Sequence, residues 1–128
     1  MIEDSLYSYL TGQAAVTALV SNRIYQSRAP QNATAPYIVY HLVDDVGAGV
    51  MEGPAGLTTK RFQFVCLAAT QRAAVIVADA LRGVLNGFRG TMDTTAVGSV
   101  LLVTQLYVYD PTTELDGVSA DYRIMYQL

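Results

Sequence analysis

Residues 58–87 read TTKRFQFVCLAATQRAAVIVADALRGVLNG, and within this stretch the apolar residues change from one spacing to another. In residues 58–67 they alternate with polar ones, with Phe62, Phe64 and Cys66 on one side, which predicts a strand. From residue 70 onward they recur at every third or fourth position, which predicts a helix. Thr70 can cap this helix, and Asn86-Gly87 can supply its left-handed stop.

The predicted helix has one clearly apolar face and a mixed opposite face. On a helical wheel the core stripe consists of Ala74, Val77, Ala78, Leu81 and Leu85. Val75 and Ile76 fall on the other side, among Arg72, Asp79 and Arg82. Two interpretations are open: these aliphatics are single exposed residues, which are common, or they form a subunit contact.

The first twenty residues predict a second helical region, in two pieces. Apolar residues recur at spacings of four and three from Ile2 to Leu10, and Glu3 and Asp4 lie where the helix dipole favours acids. Thr11-Gly12 interrupts the pattern, which resumes up to Val20.

Three further segments predict strands. Residues 37–43 form an apolar run with only His41 polar, typical of a central strand covered on both faces. Residues 100–109 form a long strand, and residues 121–128 alternate. We therefore expect an α+β fold in a single domain over residues 1–128: a mostly antiparallel sheet with the N-terminal helix and one long central helix packed on one face.

Composition and charge argue against several classes of protein. Only 15% of the residues are charged, below the ~25% of ordinary soluble domains, which suggests that something besides water covers part of the surface. The net charge of −3 and the scattered arginines argue against direct nucleic-acid binding. No apolar run is long enough for a membrane helix, and acids stand where a signal peptide carries basic residues, so we expect a soluble intracellular protein.

The sequence offers little for catalysis or for cofactor or metal binding, and we predict none of these. His41 is the only histidine and lies in an apolar strand, while Cys66 is in phase with two core phenylalanines. The glycines of residues 44–57 do not have the spacing of a dinucleotide or phosphate loop, and predict a flexible hairpin tip instead. Four acidic residues lie in or near the last predicted turn: Asp110, Glu114, Asp116 and Asp121. Their spacing is not that of a calcium-binding loop. Two interpretations are open, a solvated acidic turn or a negatively charged docking surface.

The order of these segments resembles the small tail-completion proteins of long-tailed phages, the family of tail terminators and tail-to-head joining proteins. The similarity extends from the N-terminal helix through Arg23-Ile24-Tyr25 and residues 36–40 to the strand around Phe62 and the helix after it. It includes Tyr109-Asp110-Pro111 and Ser119-Ala120-Asp121-Tyr122-Arg123-Ile124, and so covers nearly the whole chain.

The resemblance implies a non-enzymatic virion protein, made in the host cytoplasm. It would form a ring of six copies at the head-proximal end of the tail, contacting the tail tube protein and the head connector protein. We expect residues 23–35 to form an edge strand and crossing loop at a subunit boundary, and residues 44–57 to dock on a partner. The candidate interface residues are Tyr25, Arg28, Val50, Met51, Leu57, Val75, Ile76, Glu114 and Asp116.

Two alternatives are open at this point. One is a head-completion or connector adaptor of the phage neck, for which twelve copies would be expected. The other is a small ligand-binding α+β module, whose inward polar groups would be His41, Gln63 and Gln105.

Overall fold

The computed structural model describes residues 2–45 and 57–127, which form three helices and one six-stranded sheet. The helices are α1 (Ile2–Thr11), α2 (Ala14–Val20) and α3 (Gln71–Leu85). The strands are β1 (Ile24–Gln26), β2 (Tyr37–Asp45), β3 (Leu57–Ala68), β4 (Gly90–Met92), β5 (Thr95–Asp110) and β6 (Leu115–Gln127). The predicted α+β class and the division of the N-terminal helix are confirmed.

The sheet has the strand order β1-β2-β3-β6-β5-β4. Strands β1 and β2 pair in parallel and every other neighbouring pair is antiparallel, so the sheet is mixed but mostly antiparallel, as predicted. The edge strand expected within residues 23–35 is β1. Strands β3, β5 and β6 are the longest, and their pairing forms the middle of the fold.

The core lies between the helices and one face of the sheet. The predicted apolar stripe of α3 is buried in full, and it packs with Phe62, Phe64 and Cys66 of β3 and with Tyr122 of β6. The Thr70 side chain accepts a hydrogen bond from the Ala73 N–H at 3.1 Å, which is the predicted N-cap. At the other end Gly87 has φ +82°, the left-handed conformation that ends the helix.

Hydrogen bonds from tyrosines attach α1 to the rest of the fold. The Tyr40 hydroxyl of β2 donates to the Glu3 carbonyl at 2.8 Å, and the Tyr9 hydroxyl of α1 donates to the Val84 carbonyl at 2.6 Å. Burial raises the pKa of the Tyr40 hydroxyl, and Asp4 and Glu3 raise it further. The polar ends of these rings thereby have partners although the rings are packed in the core.

Three sequence-based expectations, about β2, β5 and β6, are wrong. Leu42 and Val43 are 40% and 44% exposed, so the second half of β2 is not covered on both faces. Strand β6 begins at Leu115 rather than Asp121, and β5 begins at Thr95 rather than Val100. Residues 115–120 include Asp116, Gly117 and Ser119, which have weak strand propensity. Strands β3 and β5 pair with this segment on its two sides, and such pairing outweighs the weak propensity.

Candidate assembly surfaces

Strand β5 has an edge without a partner strand over most of its length. Strand β4 covers only Thr95–Val97, and the chain after α3 covers Val100 and Leu102. There the Gly87 N–H donates to the Val100 carbonyl at 2.7 Å, and the Leu102 N–H donates to the Asn86 Oδ1 at 3.0 Å. Within the described ranges 2–45 and 57–127, no strand pairs with this edge from Val103 to Asp110. Alternate residues there direct backbone N–H and C=O groups outward.

The same strand carries most of the large apolar side chains that are strongly exposed. We call them the β5 surface: Leu101 (52%), Val103 (39%), Leu106 (53%), Tyr107 (65%) and Tyr109 (57%). Tyr107 is paired with the buried Val118 and so lies on the helix-bearing face, whereas Leu106 is paired with Ser119 on the other face. A long, apolar and unpaired edge strand is the kind of surface that pairs with another chain.

A groove lies at the opposite edge of the sheet, where α1 passes β1. It has a volume of about 1060 Å³, and we call it the β1 groove. Its lining consists of Asp4, Tyr7, Ser8, Asn22, Ile24, Tyr25, Gln26, Arg28, Ala29, Pro30, Gln31 and Tyr40. Both Tyr25 and Arg28, which were predicted as interface residues, therefore line one concave surface.

The position of Tyr25 in this groove is set by its contact with β2. Its ring meets the Tyr37 ring edge-on, with centroids 5.9 Å apart. Burial raises the pKa of the Tyr37 hydroxyl, and the nearby Asp110 and Tyr25 raise it further. Arg28 is exposed and forms no ion pair with any described residue, so its charge is available to a partner.

Only a short piece of the β1 backbone is available for pairing. The Ile38 N–H donates to the Arg23 carbonyl and the Ser27 N–H to the Tyr40 carbonyl, so by alternation Ile24 and Gln26 face away from β2. Two outward groups already have local partners, since the Ile24 N–H donates to Asn22 and the Gln26 carbonyl accepts from Arg28. The Ile24 carbonyl and the Gln26 N–H have no backbone partner among residues 2–45 and 57–127, and so they can bind another chain.

The acidic turn between β5 and β6 is shorter than predicted. Asp110 holds it through two hydrogen bonds of 3.0 Å, accepting from the Thr112 N–H and from the Thr113 hydroxyl. Glu114 is exposed at the end of the turn, whereas Asp116 lies within β6 and is half-buried.

The expectation that Asp121 belongs to this turn is wrong. It is buried within β6, where both the Nε and an Nη of Arg61 donate to its Oδ2, at 3.1 and 2.7 Å. The predicted acidic surface is therefore reduced to Asp110, Glu114 and Asp116.

The other predicted interface residues are not gathered at one place. Ile76 is 48% exposed on the outer face of α3, but Val75 is half-buried against the core. Leu57 is the first residue of β3 and pairs with Gln127. Val50 and Met51 lie outside the described residues, as does most of the loop predicted over residues 44–57.

The described residues offer little chemistry for a ligand-binding module. No group of three or more histidine, cysteine, aspartate or glutamate side chains capable of holding a metal occurs in residues 2–45 and 57–127. His41 and Gln63 are half-buried neighbours on paired strands, and Gln105 lies on β5. Among the described helices, none is long and apolar enough to cross a membrane.

Sequence reasoning predicted a strand over residues 100–109 but missed the β5 surface. A signal was present, because this stretch has only Thr104 and Gln105 as polar residues and so has apolar side chains on both faces. A strand of this kind needs cover on both faces, and the described part of the chain does not supply it at the far end of β5.

Comparison with known proteins gives one family and one fold. The model of the family described as Tail completion protein gp17 matches residues 4–127. A chain in the solved structure of the virion of a native gene transfer agent (GTA) particle is similar, with a TM-score of 0.79 and 14% sequence identity. The match covers 99% of this chain and 95% of that chain and, at this identity, establishes a shared fold. No curated protein sequence matches.

Proposed function

The chain belongs to the tail completion protein gp17 family, and from this premise we propose that it forms a ring at the head-proximal end of a phage tail. The ring would end the tail tube and join it to the head connector. Membership of the family makes the chain a structural protein of the phage tail and a component of the virion. The ring, its copy number and the two partners are the proposed part.

The observation that carries the proposal is the exposed apolar surface along the unpaired edge of β5. A monomer that stays a monomer rarely leaves a surface of this kind in water. The β1 groove lies at the other edge of the sheet, so the subunit has two different lateral surfaces. Two different surfaces that meet head to tail build a ring when the rotation closes, and we expect six copies.

The ends of the sheet support contacts with two further partners. Strands β2 and β3 pair with Asp45 opposite Lys60, so residues 46–56 join them at the end of the sheet where β6 finishes. The turn at residues 111–114 lies at the other end, where β2 begins opposite Leu67. One end would meet the tail tube protein and the other the head connector protein. We assign residues 44–57, with Val50, Met51 and Leu57, to such a contact.

The outer face of α3 is proposed as an additional contact in the assembled neck. Ile76 is exposed on this face, and Val75 lies beside it against the core. Neither residue belongs to the β5 surface or the β1 groove, so a contact here would involve a different neighbour.

The proposal is tested by native mass spectrometry of the protein alone and of the protein bound to purified tails. We expect a species of six subunits that binds tail ends and restores joining of heads to tails in extracts lacking the protein. Twelve subunits would favour the connector adaptor instead. A protein that stays monomeric and binds no tails would overturn the proposal.

A further inference from the structure

We infer that neighbouring copies join by seating the β5 surface of one copy in the β1 groove of the next. This inference rests on the proposed function, because it specifies which surfaces close the ring. Both surfaces belong to the same sheet but lie at opposite edges of it. A contact between two different surfaces is a head-to-tail contact. When it is repeated around a ring, each copy uses its β5 surface once and its β1 groove once.

The two surfaces match in their side chains. Tyr107 and Tyr109 are the most exposed apolar residues of β5, at 65% and 57%. The groove presents Tyr7, Tyr25 and Pro30 as apolar walls, together with polar groups that can bind a phenolic hydroxyl. Tyrosine is one of the three residue types, with tryptophan and arginine, that are enriched among the side chains dominating binding energy at protein interfaces, and such side chains lie in well-packed, desolvated pockets.

The charges match at one end of the contact. The strand carrying the two tyrosines runs directly into Asp110 and Glu114, and Arg28 in the groove forms no ion pair with a described residue. Asp4 also lines the groove and would repel the acidic turn, so the turn should lie at the Arg28 end. The charges therefore fix the direction in which β5 enters the groove.

Backbone pairing contributes a smaller part. The Ile24 carbonyl and the Gln26 N–H can bind alternate residues of β5 between Val103 and Asp110, in the manner of an added strand. The other two outward groups, the Ile24 N–H and the Gln26 carbonyl, are already hydrogen-bonded to Asn22 and Arg28 of the same chain. Because only the Ile24 carbonyl and the Gln26 N–H of β1 are available, the side chains must supply most of the affinity.

The direct test is cross-linking in a Cys66→Ala background with a short bismaleimide. Thr104→Cys and Gln26→Cys place thiols at the two surfaces while keeping the tyrosines and Arg28. We expect the double variant to give a ladder that stops at the ring size, and a mixture of the two single variants to give unlike dimers. Thr104→Cys combined with Arg72→Cys is the control that should give no ladder.

Other cross-linking outcomes contradict the inference in distinguishable ways. Dimers formed by Thr104→Cys alone would show that β5 edges pair with each other about a two-fold axis. Rings or tail-bound protein without cross-links would overturn this contact and leave the proposed function standing. Absence of both rings and tail binding would overturn both, so the reaction is run on the free and on the tail-bound protein.

Charge exchange gives an independent measurement. Arg28→Glu and Glu114→Arg should each lower the association constant between subunits about fivefold, which is the upper end for an exposed ion pair. The two substitutions together in one chain should restore the association constant. Tyr107→Ser with Tyr109→Ser should weaken assembly about 30-fold or more. Failure of the double charge variant to recover, or normal assembly of the serine variant, would overturn the inference.

Discussion

Arg61 and Asp121 form an ion pair whose two partners are unequally buried. The Arg61 side chain is 31% exposed, whereas that of Asp121 is 9% exposed. An arginine that loses its partner can therefore turn to water, but the carboxylate cannot. Removing one partner of a buried pair is costly mainly because of the charge that is left behind.

We expect the two single substitutions at this pair to have unequal effects on stability. Arg61→Met should lower the free energy of unfolding by about 2 kcal/mol or more, since it strands the buried carboxylate. Asp121→Asn should cost about 1 kcal/mol, because the amide oxygen still accepts from an arginine that reaches solvent. Urea denaturation measures both, with Arg123→Met on the same strand as the exposed control. Equal losses would contradict this account.

Buried thiol and phenol groups predict a loss of stability at alkaline pH. Burial raises the pKa of the Cys66 thiol from 9.0 to about 12, and burial also raises the pKa of Tyr40 and Tyr122. Above pH 9 the unfolded chain loses the thiol proton while the folded chain keeps it. The unfolded state then binds fewer protons, so the free energy of unfolding falls as pH rises from about 9 towards 12.

The contribution of Cys66 can be separated by Cys66→Ala. Between pH 9.5 and 10.5 the original protein should lose up to about 1.4 kcal/mol per pH unit more than the variant, because the tyrosines titrate in both. Denaturation curves at three pH values measure this difference. Parallel pH profiles would show that the thiol is not protected by the fold.

At the scale of elements, Gly117 is a point of close approach between three strands. A Cβ added there would lie 2.7 Å from Leu67 Cδ2, 3.0 Å from Val108 Cγ2 and 3.1 Å from the Cys66 carbonyl oxygen. The backbone cannot yield without shifting β6 between its two neighbours. Gly98, in β5, has its nearest neighbour at 3.6 Å, which is ordinary contact.

Gly117→Ala should therefore destabilise the fold by about 1–3 kcal/mol, the range for overpacking in a well-packed core. Gly98→Ala should change stability by less than about 1 kcal/mol, since a glycine within a strand already carries an entropic cost. The two thermal midpoints, measured side by side, test this difference. If the two variants melt alike, the register of β6 between β3 and β5 is not as described.

The sequence predicted the helices and strands themselves better than it predicted where each strand begins and which of its faces are buried. The buried stripe of α3, its cap and the alternation in β3 depend on local spacing, and each is confirmed. The start of β6 depends on partners on either side, which local spacing does not show. For the same reason the sequence indicated the strand at residues 100–109 but not its exposed side chains, since exposure depends on which other segments cover the strand.

At the scale of the whole molecule, sides and ends of the sheet should have separable roles. The sides carry the β5 surface and the β1 groove, whereas residues 46–56 follow from one end. Variants at the sides should prevent ring assembly. Variants at the end should leave the ring intact and prevent the ring from joining its partner.

The end-specific prediction is made for Val50→Ser combined with Met51→Ser, which removes two apolar anchors and keeps the length of the segment. Ring size by native mass spectrometry should be unchanged, and joining of heads to tails in a complementation assay should fall about 30-fold or more if both side chains are anchors. Thr58→Ser, in β3 beside the segment, is the control for a mild change nearby. Full joining by the double variant would show that residues 44–57 are not part of the docking surface. Loss of the ring itself would show that they lie between subunits.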